Sequence, residues 1–210
     1  MNKKLSMIVL GVLTVMAGTS VGYGSMIKLK SGSLGFLKGE TQVNVEYSYE
    51  GMRVGKFARE QDYVDKKVAD YDKKEPGRGD RWRQAWVADR ALKFQPKFEE
   101  LLNHFLADRK SNLRFGSFKD AKHTLILRTT FTEPGWFFGP QAFLHHPALI
   151  DAEAVFVETQ NRATPLATLA ITKSPGQGAG GFDYETGYRV QESYAKAGKE
   201  LGIFISKKVK

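Results

Sequence analysis

The sequence predicts an α+β fold: a single, mostly antiparallel sheet of about five strands, with helices mainly on one face and the C-terminal helix packed on the sheet. Three observations carry this expectation. Gln42 to Tyr49 alternates strictly between apolar and polar residues. Residues 80 to 109 carry an apolar stripe at helical spacing, and a run of β-rich segments between residues 112 and 172 precedes a final helical stretch. Neither an internal repeat nor a linker divides the chain, so residues 41–210 read as one domain.

The elements follow in order. Residues 25–40, rich in Gly, Ser and Lys, read as a leading arm. In Gln42–Tyr49, Val43, Val45, Tyr47 and Tyr49 fall on one face and Asn44, Glu46 and Ser48 on the other, as in a half-buried strand. Lys56 to Lys74 places Phe57, Tyr63, Val64, Val68 and Tyr71 near helical spacing and ends at Pro76, Gly77 and Gly79, which break a helix. Asp80 is then the expected N-cap of the next helix. Trp82 and Trp86 stand one turn apart with Phe94 on about the same side. Pro96 occupies a first-turn position, and Phe98, Leu101, Leu102 and Phe105 continue the stripe. Residues 80–109 are therefore one kinked helical unit or two helices. Strands are expected at Asn112–Phe118, His123–Thr132, Leu149–Thr159 and Pro165–Thr172. The last helix is expected from Asp183, its N-cap, to Phe204. Its Tyr184, Tyr188, Ala195, Gly198, Leu201 and Gly202 would lie flat on the sheet, small residues permitting close approach.

The amino terminus bears on compartment. Lys3 and Lys4 precede an uncharged apolar run from Leu5 to Ala17, and Gly18, Thr19, Ser20, Gly22, Gly24 and Ser25 follow. That order is the layout of a secretory signal peptide, here residues 1–24, and the run falls short of the roughly 20 apolar residues a bilayer span needs. Export with cleavage between Gly18 and Ser25 is the expected outcome. Mass spectrometry of the mature amino terminus checks it, and an intact Met1 on envelope-localised protein would show a retained anchor instead.

Composition narrows the function classes. The chain has no cysteine, so the lipid-bearing residue of a bacterial lipoprotein is missing and a periplasmic or secreted protein would rely on its apolar core rather than on disulfides. About 185 residues after cleavage suffice for that core. A net charge of +9 draws the chain toward anionic surfaces such as lipid head groups, lipopolysaccharide or cell wall. Nucleic acid is not expected as a partner, because the charge is spread along the chain and the chain is exported.

Few residues suggest chemistry. Gly176 to Gly181 match G-x-G-x-x-G, yet the parallel βαβ setting and a later acidic partner are missing, so neither a nucleotide nor any other cofactor is expected. His145 and His146 neighbour Asp151 and Glu153, but no H-x-x-x-H or H-E-x-x-H spacing supports a metal. There is no G-x-S-x-G nucleophile, and no catalytic residue is assigned. Arg78-Gly79-Asp80 spells an adhesion tripeptide at a position better explained by a loop opening a helix. The least ordinary feature is Trp136-Phe137-Phe138, held between Pro134-Gly135 and Gly139-Pro140. Three consecutive rings in a turn cannot all face one core, so Trp136, Phe137, Phe138, His145 and His146 form the candidate binding set.

Three segments, GKFAREQDYVDKKVADYDKKEPGRGDRW (residues 55–82), TTFTEPGWFFGP (129–140) and YRVQESYAKAGKELG (188–202), resemble a family of small exported α+β proteins of Gram-negative bacteria with no role attached. The element order is also distantly similar to small periplasmic domains of the curli-secretion and TolB amino-terminal type. These resemblances imply fold and compartment and transfer no site residue. The expected function is a non-enzymatic periplasmic or cell-envelope binding or assembly module whose partner is an envelope protein or an anionic surface. The alternatives are a small exported hydrolase using His145 or His146 with nearby carboxylates, or a peripheral membrane protein.

Overall fold

The computed structural model describes residues 26–137, 145–176 and 185–209. The expected signal segment, Phe138, Gln177 to Gly181 and the Asp183 cap lie outside them.

A 7-stranded mixed sheet forms the centre of the molecule. Its strands are β1 (Ile27–Gly32), β2 (Gln42–Ser48), β3 (Arg53–Val54), β4 (Arg114–Gly116), β5 (His123–Glu133), β8 (Ala148–Glu158) and β9 (Ala167–Gly176). Trp136–Phe137 and His145–His146 form a separate two-stranded ladder, β6 and β7. The helices are α1 (Glu60–Asp72), α2 (Arg78–Asp89), α3 (Gln95–Ala107) and α4 (Thr186–Lys208), with a π-helical turn at Arg90–Phe94 joining α2 to α3. Among these, no helix is long and apolar enough to cross a membrane.

The α+β class and the C-terminal helix against the sheet are as expected, but the sheet corrects the sequence reading twice. It is larger than about five strands, because the supposed arm contributes β1, paired antiparallel with β9 along one edge, and Arg53–Val54 adds the short β3. It is also mixed rather than mostly antiparallel: β2 pairs in parallel with both β4 and β5, and β3 in parallel with β5. The physical cause is the crossover. The chain leaves β2, passes through α1, α2 and α3, and re-enters the sheet in the same direction, which only a connection of that length permits. The β5–β8–β9 run is antiparallel, as expected.

Two apolar clusters hold these layers. The larger packs Phe98, Leu102 and Leu106 of α3 and Val190, Tyr194, Leu201 and Ile205 of α4 over Leu125, Leu127, Phe156 and Leu169 of the sheet. Burying a ring such as Phe98 contributes about 2–3 kcal/mol. The smaller cluster joins Met52, Val54, Tyr63, Val64 and Trp86 under α1 and α2. Trp82 and Trp86 stack at 5.6 Å, whereas Phe94 stacks on Tyr194 at 5.1 Å in the other cluster. The π-helical turn between them holds an extra residue, which rotates the apolar stripe from one cluster to the next.

Local chemistry explains the helix ends and the glycines. The first turn of α2 is satisfied by Asp72, whose Oδ1 accepts the Gly79 amide at 2.8 Å, so Asp80 is not the N-cap and pairs with Arg83 instead. Gly79 is a glycine because a Cβ there would meet the Val68 carbonyl oxygen at 2.5 Å. Gly198 and Gly202 do allow a close approach, but to α3 rather than to the sheet. A Cβ on Gly198 would stand 2.2 Å from the Phe98 carbonyl oxygen, and one on Gly202 2.7 Å from that of Leu102.

Candidate functional site

The candidate site grows from the end of β5. After Glu133 the chain turns at Pro134-Gly135, where Gly135 has a φ of 64°, and enters β6. Only glycine fits at 135: its φ is positive, and a Cβ would lie 2.4 Å from the His146 carbonyl oxygen and 2.6 Å from the Ala148 amide nitrogen. The Gly135 amide donates to Glu133 Oε1 at 3.1 Å. The hairpin therefore crosses its own return strand at backbone contact.

From α4, Arg189 locks this crossing. Its side chain is buried, with the residue 6% exposed, and its guanidinium donates from Nε to the Pro134 carbonyl at 3.3 Å. Nη2 donates to the Gly135 carbonyl at 3.3 Å and to Thr186 Oγ1 at 3.1 Å. A guanidinium suits the task because its planar fork reaches two successive carbonyls and carries a charge that strengthens each bond. Sequence reasoning missed Arg189. The signal for it is the helical row Arg189, Ser193, Ala197, in which the last two are fully buried and the first heads the same face.

The ladder joins two clusters that were separate in sequence. Trp136 pairs in register with His146, and Phe137 with His145. Trp136 is one of the large apolar residues left exposed, at 51%, and His146 is exposed as well. An indole and an imidazole directly across an antiparallel pair stand about 5 Å apart at Cβ, a spacing suited to a flat, amphipathic contact.

The remaining candidates are placed elsewhere or are occupied. Asp151 Oδ1 accepts the Lys173 amide at 2.7 Å beside a β-bulge, and Glu153 pairs with Arg128 at 3.5 Å, so both carboxylates have structural work. His123 begins β5, whose ten-residue run to the hairpin amounts to roughly 30 Å. It is buried against Phe36, with Glu40 Oε1 at 3.9 Å from Nδ1. Burial pushes its imidazole below the ordinary histidine pKa, and the Glu40 carboxylate opposes that shift. His104 pairs with Asp108 on α3 at 3.4 Å. Among the described residues no group of three His, Asp or Glu side chains is placed to hold a metal ion. Gly176, the first glycine of the G-x-G-x-x-G match, is explained by packing: a Cβ there would stand 1.9 Å from the Arg189 carbonyl oxygen, where α4 crosses β9.

No protein-family profile matches the chain, and no curated protein sequence matches it. Among solved structures, the PelC dodecamer from Paraburkholderia phytofirmans aligns over 83% of this chain and 95% of that one, at 11% identity and a TM-score of 0.35. A likeness of that size carries no argument about fold or function.

Proposed function

We propose that the protein is a non-enzymatic binding or assembly module of the cell envelope, exported to the periplasm or beyond, with the β6–β7 hairpin as its contact element. The observation that supports this reading is Trp136: a large ring half in water on a hairpin whose base is fixed by Gly135 and the buried Arg189. A rigid base lowers the ordering cost of an encounter, and an exposed indole offers area that a partner recovers on binding. Loops fixed on a scaffold are where recognition is usually placed. The basic surface brings the hairpin to an anionic envelope component.

Trp136→Ser tests the reading. The substitution removes an exposed side chain, so stability should stay within about 0.5 kcal/mol. Co-sedimentation of the purified chain with envelope fragments should weaken by about tenfold, the size of a moderate interface anchor. Unchanged co-sedimentation would remove the hairpin from the contact. A large fall in melting temperature would show that the indole is structural.

A further inference from the structure

A second site lies at the other end of α4, roughly 30 Å from the hairpin along a helix of this length. Helices α3 and α4 run side by side in the same direction, since Gly198 meets the Phe98 carbonyl and Gly202 that of Leu102. Their C-terminal ends therefore finish together and flank an open cleft of ≈ 330 Å³ lined by Asp108, Arg109, Lys110, Ser206 and Lys207.

Three of these five residues are cations, and no ion pair is made by Arg109, Lys110 or Lys207 among the described residues. A fourth cation stands close by: the Phe105 ring carries both Lys199 Nζ at 4.7 Å and Arg109 Cζ at 5.8 Å from its centroid. Two like charges thus stand near one ring, and neither makes an ion pair among the described residues. Two helix C-termini account for about one unit of opposing charge, and Asp108 for another, so a positive excess remains.

The turn that positions Lys110 is fixed independently of its charge. The Lys110 amide donates to the Ala107 carbonyl at 2.8 Å and the Ser111 amide to the Leu106 carbonyl at 3.1 Å, which closes α3 with a left-handed residue. Lys110 has a φ of 61°, where glycine is the usual occupant and a side chain is unfavourable. Backbone geometry gives no reason for lysine at this position. A cation at the wall of the cleft does.

We infer that this cleft is an anion site for a phosphate-bearing ligand. Three cations lining one cleft, one of them a guanidinium, favour a multiply charged, multi-oxygen group over a single carboxylate. The inference is independent of the hairpin. Phosphate chemistry arises both in soluble phosphates and in lipid head groups, and the experiment separates these sources.

Titration of the full chain with inorganic pyrophosphate at low salt, followed by calorimetry, should show saturable binding. Lys110→Gly removes the charge and keeps the left-handed turn, so the melting temperature should hold or rise while affinity falls about fivefold or more. Asp108→Asn should shift affinity in the opposite direction. Flotation with phosphatidylglycerol vesicles, using phosphatidylcholine vesicles as the comparison, gives the second arm. Pyrophosphate binding without flotation assigns a soluble phosphate, and flotation sensitive to Lys110→Gly assigns a lipid head group. Absence of both, or binding that Lys110→Gly leaves unchanged, overturns the inference.

Discussion

Gly198→Ala is expected to destabilise the protein by about 3 kcal/mol, and the sign is what makes the result informative. In an exposed helix interior the same exchange stabilises by up to about 1 kcal/mol, because alanine is the better helix former. Here the added methyl would sit 2.2 Å from the Phe98 carbonyl oxygen, a backbone atom that cannot swing aside. Helices α3 and α4 must separate, and Phe98, Leu102 and Leu201, all fully buried, lose contact together. In a chain of this size each kcal/mol lowers the melting temperature by about 2–4 °C, so a fall of about 10 °C is expected in a thermal scan. An unchanged or raised melting temperature would mean that the two helices do not meet at backbone distance.

Arg189→Met should cost about 2–4 kcal/mol and act chiefly on the hairpin. Methionine fills the space of the arginine stem but supplies no donor, so the Pro134 and Gly135 carbonyls lose their guanidinium partner. A buried acceptor left without a donor, as at Pro134, costs about 1–3 kcal/mol, and the partly buried Gly135 carbonyl adds less because it shares the same relaxation. Amide hydrogen exchange provides the local readout. The amides of β6 and β7 should exchange at least about tenfold faster, while those in the middle of β5 and β8 follow only the global stability change. Arg189→Lys should fall between, since a single ammonium cannot serve both carbonyls with the geometry of a fork. Equal exchange at the hairpin in Arg189→Met and the parent chain would falsify the clamp.

These two residues also show where the sequence is legible and where it stops. The segment Gln42–Ser48 is a strand because alternation is a local property, written in consecutive side chains. The stripe from Trp82 to Phe105 declares a helix with an interruption for the same reason, and Pro96 marks the restart inside the first turn of α3. Strand direction is different. Nothing in residues 42–48 or 123–133 states that they run parallel, since that depends on a crossover through three helices. Residues 27–32 read as a leading arm for a related reason: an exposed edge strand buries little beyond Ile27, and its order comes from the hydrogen bonds of β9.

At the candidate site the division is the same. Composition and short-range periodicity were enough for the α+β class, the positions of the long elements, the basic charge and the aromatic cluster around Trp136. Long-range packing set the rest: Trp136 pairs with His146 across a ladder, Arg189 holds the turn beneath them, and Gly198 meets α3 instead of the sheet. Each of these joins residues far apart in the chain, through bonds or contacts whose geometry no local pattern encodes.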